Sequence, residues 1–360
     1  MTYAIAAGGT GGHVYPALAV AGRLVADGVS PDEVLFIGGE RLESQVVPQA
    51  GFPFVELKMV GLRPLTPSKL ALPWLVARAA GRARRELARR AVAVVLGMGG
   101  YITVPVAWAA RGGGLPLFVH EQNAVPGLAT RLTSRWARQT FVAFPSAAGL
   151  SRSRVVGNPL RPELAGFSRP QLRHQALARY SLDPGGLTIG VLGGSLGAHT
   201  LNQAVARMVV GWRGSPLQVV HLAGRAHVAE LTRQAAEASL AWRVIAFEES
   251  MEFFYAASDL VISRAGALTV SELAATATPA VLVPPARLSR LNQRANAAYL
   301  VKAGAAELMD EERLGDLPAV VERLAADGGA RRRMAEAAAS AARTDAATQI
   351  ARALREAADG

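Results

Sequence analysis

The chain has 360 residues, of which 51% are hydrophobic and 19% are charged, and it contains no cysteine. This composition supports a large buried core and its length indicates two domains, while it excludes a disordered chain, a disulfide framework and any Cys-ligated zinc or iron–sulfur site. The formal net charge of +11 indicates a polyanionic partner, such as an anionic membrane, a nucleic acid or a phosphorylated substrate. A general enrichment in arginine would explain the same charge without any function.

The N-terminus begins with an apolar run at residues 3–7, and no basic region precedes it. We therefore expect no secretory signal peptide, and the predicted location is the cytoplasm. The uncharged window that could suggest a membrane span, residues 91–110, carries three glycines and a proline that would break a spanning helix. We predict a strand, a glycine loop and a helix there, and no transmembrane segment.

Apolar runs rich in β-branched residues alternate with Ala-rich helical stretches along the chain. After the first run, the predicted strands are VLFIGG (34–39), AVAVVLGMGG (91–100), LPLFVHEQN (115–123), RVVGNP (154–159), LTIGVLGGS (187–195), LQVVHLAG (217–224), RVIAF (243–247), DLVISRAG (259–266) and PAVLVP (279–284). Continuous apolar strands separated by helices predict a parallel sheet that is covered on both faces.

The order of strand, glycine-rich turn and helix occurs at the start of the chain and again near residue 187. The segment between them at 157–170 is rich in Pro and Gly, which is typical of an interdomain linker. We therefore predict an α/β fold of two Rossmann-like domains, with parallel sheets facing each other across a cleft. The predicted domains are 1–160, completed by a C-terminal helix at 344–360, and 161–343; the Ala-rich tail is predicted to be helical.

Four glycine-rich segments follow predicted strands. They are GGTGG (8–12), MGGYITVP (98–105), GGSLGAHT (193–200) and SRAGALTVSE (263–272). Glycines allow backbone amides to approach an anion, and the amino end of the following helix favours negative charge. None of them is a Walker A motif, and the first is not a dinucleotide fingerprint. One such segment is equally typical of a tight turn, but four at the carboxyl ends of strands are predicted to point into one cleft. The expected ligands are several diphosphate-like anions, or one large phosphorylated ligand together with a nucleotide.

Residues 69–91 contain the densest cluster of positive charge, next to apolar residues and a tryptophan. Apolar side chains can enter the headgroup zone of an anionic bilayer while arginines meet its phosphates. The predicted membrane contacts are Leu72, Trp74, Leu75, Arg78, Arg82 and Arg85. An ordinary amphipathic surface helix is the alternative.

Eight motifs occur in a fixed order across nearly the whole chain. They are GGTGGHVYPALAVA, GLRP, LGMGGYITVP, HEQNAVPGLATR, VVGNPLR, GGSLGAHTLN, SRAGALTVSEL and NQRANAAYLVKAGAA. This ordered set closely resembles the MurG family of N-acetylglucosaminyltransferases. The resemblance implies the two-domain GT-B fold and an inverting transfer of N-acetylglucosamine from its UDP donor. It also implies an acceptor, undecaprenyl-diphospho-N-acetylmuramoyl-pentapeptide, which is glycosylated at its 4-hydroxyl at the cytoplasmic face of the plasma membrane.

An inverting transfer needs a base near the acceptor hydroxyl. His13, in the first glycine segment, carries an imidazole that could take this proton, and Glu121 in the HEQN motif is the competing base. The alternative for His13 is a loop hydrogen bond that orders the start of a helix. The alternative for Glu121 is orientation of a neighbouring side chain.

The resemblance also implies binding residues in both domains. In the N-terminal domain it places donor contacts at Thr10, Gly11, Gly12 and Asn123, and acceptor contacts at Gly99, Gly100 and Tyr101. In the C-terminal domain it places donor contacts at Arg161, Ser195, Ala267, Leu268, Thr269, Val270, Ser271, Glu272, Asn292 and Gln293. Glu272 matches a carboxylate that accepts both ribose hydroxyls, and its alternative is a surface glutamate on a helix.

The sequence contains no Asp-x-Asp pair, so no essential metal is predicted. The helix that opens near Ala267 is expected to stabilise the charge on the departing UDP instead. The chain departs from the family pattern in ARLSRLNQRANA, where residues 288–291 replace polar or acidic positions, and this bears on donor-sugar discrimination. Leu196, Ala265 and Thr103 are further departures.

Two other functions are compatible with the sequence. A related GT-B enzyme could glycosylate a different lipid, such as diacylglycerol, and a protein without catalysis could bind a nucleotide sugar or a nucleic acid. Only 6% of the residues are Phe, Trp or Tyr, which leaves few platforms for stacking bases. The predicted partners are therefore the UDP-sugar, the lipid-diphosphate acceptor and an anionic membrane surface, and not a nucleic acid.

Overall fold

A computed structural model describes residues 1–58, 72–193, 198–286 and 290–360. At positions 72, 73, 290 and 291 it describes the backbone only. The chain divides into two units. Unit 1 comprises Met1–Arg161 and Thr344–Gly360, and unit 2 comprises Pro162–Arg343. The boundary between them lies inside the segment 157–170 that was predicted to be a linker.

Unit 1 contains a parallel sheet in which seven strands are described. They are β1 (Thr2–Ala6), β2 (Val34–Gly38), β3 (Phe54–Glu56), β4 (Val92–Gly97), β5 (Leu117–Glu121), β6 (Gln139–Val142) and β7 (Ser153–Val155). Their order is β3-β2-β1-β4-β5-β6-β7. In the middle of the sheet, Ile5 pairs with Phe36 on one side and with Leu96 on the other.

Helices cover both faces of this sheet. They are α1 (Gly11–Ala26), α2 (Glu43–Gln49), α3 (Leu72–Arg89), α4 (Gly100–Gly112) and α5 (Leu128–Thr133). Alternate residues of β1 enter different cores: Ile5 packs in the cluster that includes Val14 of α1, and Ala6 packs in the cluster that includes Val106 of α4. Because both faces are buried, β1 is an uninterrupted apolar run.

Unit 2 repeats the architecture with six described parallel strands. They are β8 (Leu187–Leu192), β9 (Leu217–Leu222), β10 (Trp242–Ile245), β11 (Leu260–Ser263), β12 (Ala280–Leu282) and β13 (Ala306–Leu308), in the order β10-β9-β8-β11-β12-β13. Its helices are α6 (Pro162–Ala165), α7 (Arg169–Arg179), α8 (His199–Val210), α9 (Val228–Ala235), α10 (Met251–Ala257), α11 (Ala267–Ala275), α12 (Arg290–Ala303), α13 (Leu317–Ala326) and α14 (Gly328–Ala341). The predicted linker is therefore partly helical, since it contains α6 and the start of α7.

The last helix, α15 (Ala346–Asp359), belongs to unit 1. It packs against α1, and Ile350 and Leu354 are buried in the same core cluster as Ile5. The C-terminal segment thus forms part of the core of unit 1, although the whole of unit 2 separates it in sequence from the rest of that unit.

The prediction of an α/β fold with two parallel, Rossmann-like sheets is confirmed. The window 91–110 forms β4, a glycine turn and α4, as predicted. The described helices include none with the length and apolar character needed to cross a bilayer. The sequence did not predict β3, β6 and β13, which are three or four residues long, and β7 is shorter than the predicted RVVGNP run.

Candidate functional site

Three loops of unit 1 lie at one edge of its sheet. They follow the adjacent strands β1, β4 and β5, and they contain residues 7–10, 98–99 and 122–127. Since the strands are parallel, their carboxyl ends meet at this edge, which is where ligands bind in open α/β sheets. The structure therefore brings the first two glycine segments and the HEQN motif together.

His13 lies in the first turn of α1, between the first two loops. Its Nδ1 atom is 3.1 Å from Oγ1 of Thr10, the residue that precedes the helix. The other side of the ring faces the second loop, because a Cβ atom added to Gly99 would lie 3.4 Å from Nε2 of His13. Gly99 and Gly100 have φ values of 78° and 73°, so a side chain at either position would be strained.

The environment of His13 favours a neutral imidazole. Burial lowers the pKa of His13 below its ordinary value of 6.5, and the negative charges of Glu121 and Glu43 act in the opposite direction. A neutral ring has one nitrogen that can accept a proton. The geometry thus provides a proton acceptor next to the second glycine loop.

Glu121, the competing base, is 3% exposed and is occupied by the loop that follows β5. Its Oε1 atom accepts hydrogen bonds from the backbone N–H of Asn123 at 3.0 Å and from the side-chain amide of Asn123 at 3.3 Å. Its Oε2 atom accepts from the N–H of Gly127 at 3.0 Å. Both oxygens therefore shape the loop and orient Asn123, which was predicted to contact the transferred sugar.

The rest of the HEQN motif forms a buried hydrogen-bond chain. Nε2 of His120 donates to the carbonyl oxygen of Gly157 at 2.9 Å, and the Gln122 side chain donates to Nδ1 of His120 at 3.0 Å and to the carbonyl oxygen of Met98 at 3.0 Å. Burial lowers the pKa of His120 to about 4. Through this chain, Gln122 connects the third loop to the second loop, and the neutral His120 connects it to the GNP segment.

Sequence reasoning missed Glu43, a fully buried carboxylate in the first turn of α2. It accepts a hydrogen bond from the N–H of Gly9 at 3.2 Å on each oxygen, and from the N–H of Gly39 at 3.0 Å. Glu43 therefore holds the first glycine segment in place. The one available signal was an acid shortly after the Gly-Gly pair that ends β2.

The predicted acceptor residue Tyr101 lies next to Gly9 and Gly39, the two glycines whose amides donate to Glu43. A Cβ atom added to Gly9 would be 3.5 Å from the ring of Tyr101, and one added to Gly39 would be 2.5 Å from its hydroxyl. Burial, followed by the negative charge of Glu43, raises the pKa of Tyr101 above its ordinary value. The Tyr101 hydroxyl thus stays protonated and can donate a hydrogen bond.

The remaining predicted residues of this half lie at the start of α1. Gly12 is exposed, and Gly11 is half-buried against Tyr15, whose ring would be 3.1 Å from a Cβ added to Gly11. The guanidinium carbon of Arg161 lies 5.8 Å from the centre of the Tyr15 ring. Arg161, which was predicted to belong to the C-terminal domain, is thus the last residue of the first stretch of unit 1.

In unit 2, the predicted donor residues cluster at the carboxyl ends of β11 and β12. Helix α11 begins at Ala267, as predicted, and Leu268, Thr269 and Ser271 are half-buried in its first turns. The side chain of Val270 is fully buried in the core, so only its backbone can contact a ligand. Ser195, Leu196 and the segment 287–289 lie outside the described residues, and no side chain is described at 290 or 291.

Glu272 is half-buried, and its Oε2 atom accepts a hydrogen bond from the hydroxyl of Tyr255 at 2.8 Å. On the neighbouring helix α12, Asn292 is exposed and Gln293 is half-buried. Asn296, one turn further, is buried and donates to the carbonyl oxygen of Ala265 at 3.3 Å. The start of α12 is thereby attached to the loop that precedes α11.

An ion pair missed by sequence reasoning orders this edge of unit 2. Arg264 pairs with Glu311, and it also donates to the carbonyl oxygen of Val283 at 3.0 Å. Glu311 in turn accepts from the N–H of Ala286 at 2.7 Å. The pair of mostly buried charges therefore joins the loops that follow β11 and β12. Within the described part of the chain, no three His, Asp or Glu side chains converge as metal ligands would.

The predicted membrane segment forms α3, with its arginines on the surface. Arg78, Arg82 and Arg85 are exposed and Leu75 is half-buried. Trp74 is 61% exposed, with the guanidinium carbon of Arg78 at 5.5 Å from its ring centre. The helix itself is as predicted, but the side chain of Leu72 is not among those described.

Comparisons with known proteins match this architecture. The N-terminal domain model of glycosyltransferase family 28 matches residues 3–142, and the C-terminal domain model of that family matches residues 188–350. Two curated relatives carry the name UDP-N-acetylglucosamine--N-acetylmuramyl-(pentapeptide) pyrophosphoryl-undecaprenol N-acetylglucosamine transferase. The one from Halorhodospira halophila is 42% identical, covering 100% of this chain and 99% of its own length. The one from Acidithiobacillus ferrooxidans is 43% identical, covering 99% and 98%.

The crystal structure of MurG from Acinetobacter baumannii superposes on this chain with a TM-score of 0.80, at 30% sequence identity and with 99% of each chain covered. Similarity in sequence and in fold thus extends over both units. The chain therefore belongs to the MurG family of glycosyltransferases, within glycosyltransferase family 28.

Proposed function

We propose that this chain transfers N-acetylglucosamine from UDP-N-acetylglucosamine to the 4-hydroxyl of undecaprenyl-diphospho-N-acetylmuramoyl-pentapeptide, the lipid I to lipid II step of peptidoglycan synthesis. Relatives 42–43% identical over the full chain carry names that state this donor and acceptor. The observation that carries the proposal is the position of His13, a half-buried imidazole held among the glycine and amide loops of unit 1.

His13 is proposed as the catalytic base. If Nδ1 carries the ring proton and donates it to Oγ1 of Thr10, the lone pair of Nε2 points toward the second loop. The acceptor oxygen then attacks C1 of the sugar from the face opposite the phosphate, its proton passes to Nε2, and the C1–O bond to UDP breaks with its electrons on the diphosphate. The configuration at C1 of the sugar is inverted by this displacement.

Glu121 is proposed as a positioning residue rather than the base. Its two oxygens already accept three hydrogen bonds, two from Asn123 and one from Gly127, so the carboxylate is held by the loop that it orders. Its charge also raises the pKa of His13, against the larger effect of burial. Glu121 thus orients Asn123 toward the sugar and tunes the base.

Unit 2 is proposed to hold the UDP part of the donor. The first-turn amides at Ala267 and Leu268 can face a diphosphate, and the amino end of a helix stabilises negative charge there. Glu272, held by Tyr255, is proposed to accept the ribose hydroxyls, and Gln293 to contact the sugar. Ser195, Asn292 and Arg161 remain proposed donor contacts from the family resemblance.

No metal is proposed to be essential, because the sequence lacks an Asp-x-Asp pair and a helix start is available for the leaving group. The acceptor side is assigned to Gly99, Gly100 and Tyr101, which line the second loop next to His13. The Tyr101 hydroxyl, kept protonated by its raised pKa, can donate to the acceptor diphosphate.

The proposed location is the cytoplasmic face of the plasma membrane, where unit 1 binds peripherally. Helix α4 packs against both α3 and α5, and together the three helices expose Trp74, Trp108, Leu128 and Leu132. Large apolar side chains beside exposed arginines suit the headgroup region of an anionic bilayer. The sequence predicted the α3 part of this proposed surface, and the exposed apolar residues of α4 and α5 are added from the structure.

The membrane proposal is tested by sedimentation with vesicles of phosphatidylglycerol and of phosphatidylcholine. We expect binding to the anionic vesicles alone, and its loss in the Arg82→Gln/Arg85→Gln variant. The charge-matched control is Arg313→Gln/Arg333→Gln, which removes two exposed arginines of unit 2. Equal losses in the two variants would assign the binding to net charge, and α3 would then be an ordinary surface helix.

The catalytic proposal is tested by transfer of labelled N-acetylglucosamine to a short-chain lipid-diphosphoryl muramoyl-pentapeptide, with and without a chelator. We expect chelator-resistant transfer by the wild type, very slow transfer by His13→Ala with UDP binding retained, and weak UDP binding by Glu272→Ala. Transfer to diacylglycerol but not to the diphosphate acceptor would favour the related lipid glycosyltransferase. UDP binding without any transfer, or salt-sensitive binding to DNA, would favour a binding protein.

A further inference from the structure

A cavity of about 530 Å³ lies within unit 2, away from the proposed donor site. Its lining includes Leu187, the first residue of β8, together with Asp259 and Pro279, which immediately precede β11 and β12. In a parallel sheet the amino ends of the strands form one edge and the carboxyl ends form the other. The cavity is therefore separated from the donor loops by the length of β8, about 20 Å.

Four arginines line this cavity: Arg169, Arg173, Arg331 and Arg332. Among the residues of the lining, the one acid is Asp259, and its carboxylate is already engaged. It accepts from Arg173 at 2.9 Å and from the N–H of Thr188 at 2.9 Å. The cavity is thus surrounded by three positive charges that no lining acid balances.

Two of the arginines are held in place by hydrogen bonds to the protein. Arg173 donates to the carbonyl oxygen of Ala257 at 2.6 Å, and Arg169 donates to the hydroxyl of Thr278 at 2.9 Å. Both side chains come from α7 and reach the end of α10 and the start of β12. Burial lowers the pKa of Arg169 to about 10, which leaves it charged at neutral pH.

The other two arginines converge over the start of α14. Nη2 of Arg331 and Nη1 of Arg332 would each lie 3.6 Å from a Cβ atom added to Gly328. Arg331 is anchored by its other nitrogen, which donates to the carbonyl oxygen of Ala325 at 2.6 Å. Since Gly328 has no side chain, the two guanidinium groups can reach one ligand.

We propose that this cavity binds a small molecule that carries a diphosphate or a larger phosphate group, at a site separate from the donor site. Its volume lies in the range of small-molecule sites, about 300–1,000 Å³. Guanidinium groups bind phosphate oxygens in a bidentate manner, and a lining of four arginines and one acid matches a diphosphate better than a single carboxylate. Such a ligand would relieve the mutual repulsion of the arginines.

The test is calorimetric titration of the full chain with inorganic pyrophosphate, in physiological salt and with saturating UDP to occupy the donor site. We expect the wild type to bind one pyrophosphate under these conditions. Arg332→Gln should weaken this binding by about tenfold, because one charged hydrogen-bonding partner is lost. The matched control is Arg333→Gln, on the same helix but outside the lining, with an expected change of less than about twofold.

One further measurement, the affinity for UDP, completes the test. UDP affinity should be the same in the wild type and in Arg332→Gln, whereas a parallel loss of UDP and pyrophosphate binding would show a single site and overturn the proposal. Absence of pyrophosphate binding in the presence of UDP would also overturn it, as would equal losses in Arg332→Gln and Arg333→Gln. Sugar transfer is not a readout, so failure of the proposed catalysis would leave this test intact, provided that UDP binds.

Discussion

Oγ1 of Thr10 lies 3.1 Å from Nδ1 of His13, so the residue that precedes α1 also determines how the imidazole of that helix is held. The contact joins a hydroxyl oxygen that can accept a hydrogen bond to the ring nitrogen that must carry the proton if Nε2 is to act as the base. The orientation and the tautomer of His13 therefore depend on one side chain in the glycine segment.

The first prediction concerns this contact. Thr10→Val keeps the shape of the side chain and removes the hydroxyl, so we expect kcat to fall by about tenfold, with little change in the KM of either substrate. Thr10→Ser keeps the hydroxyl and should stay within about twofold of the wild type. Steady-state kinetics check both values. A rise in the donor KM as the main effect of Thr10→Val would instead identify Thr10 as a direct sugar contact.

The second prediction concerns Glu43. In Glu43→Gln an amide NH₂ replaces one oxygen that accepts from Gly9, so two donors face each other in a buried place. We expect the free energy of unfolding to fall by about 1–3 kcal/mol and kcat/KM to fall with it, since the first loop loses its anchor. Denaturant unfolding and kinetics measure the two effects. Glu40→Gln, at an exposed position nearby, should change stability by less than about 0.5 kcal/mol.

The third prediction compares two glycines. Gly100 has a φ of 73°, and an added Cβ would lie 2.9 Å from the carbonyl oxygen of Gly8, so Gly100→Ala should separate the first two loops and lower kcat/KM sharply. Gly22 lies inside α1 with open space around it, so Gly22→Ala should stabilise the protein by about 0.5–1 kcal/mol. Thermal unfolding and transfer assays on both variants provide the comparison. Full activity of Gly100→Ala would show that close loop contact is not required.

The fourth prediction is a loss of stability in mild acid. Burial lowers the pKa of His120 to about 4 and that of His221 to about 3, both below the ordinary 6.5. The unfolded chain therefore binds protons that the folded chain does not, and stability present above pH 6.5 is lost as the pH falls toward these values. Each histidine should remove on the order of 2 kcal/mol between pH 6.5 and about pH 5.

Denaturant unfolding at several pH values measures this slope. The variant His221→Phe, which keeps a ring against Trp242 and cannot titrate, should have a shallower pH dependence than the wild type. If the slopes of the variant and the wild type are the same, His221 is not a source of acid sensitivity.

The fifth prediction concerns the hydroxyl that holds Glu272. Tyr255→Phe removes the donor at 2.8 Å and leaves the ring, so the carboxylate should lose its orientation without loss of the fold. We expect UDP affinity to fall by about three- to tenfold, and Glu272→Gln to weaken UDP more than this. Calorimetric titration with UDP measures both. Unchanged affinity in Tyr255→Phe would mean that the Tyr255 hydroxyl does not orient Glu272 for UDP binding.

Sequence patterns predicted those parts of the fold that repeat over several residues. The strand, glycine turn and helix around His13 were predictable because a buried run, a group of glycines and an Ala-rich stretch each carry their own signal. The strands β3 and β13 were not, because each has three residues that are mostly half-buried and so lacks a buried apolar run.

The candidate site was predictable in its loops and not in its internal supports. Glu43 and Glu311 lie on helical segments near the exposed acids Glu40 and Glu312, and their sequence surroundings give little that distinguishes them from surface glutamates. Burial and hydrogen bonding to loop amides become visible only in three dimensions. The same holds for His13 and Glu121, which are equal candidates by residue type and differ in how many of their acceptor atoms are already in use.

The packing of α15 against α1 has a consequence for biosynthesis. The ribosome makes the strands and helices of unit 1 first and then all of unit 2 before it reaches residues 346–359. Until that point Ile5 and Val14 lack their contacts with Ile350 and Leu354. Unit 2 is continuous in sequence, so it can close its core first, although its synthesis begins second. A chaperone that binds nascent chains would thus find exposed apolar surface on unit 1 for nearly the whole period of translation.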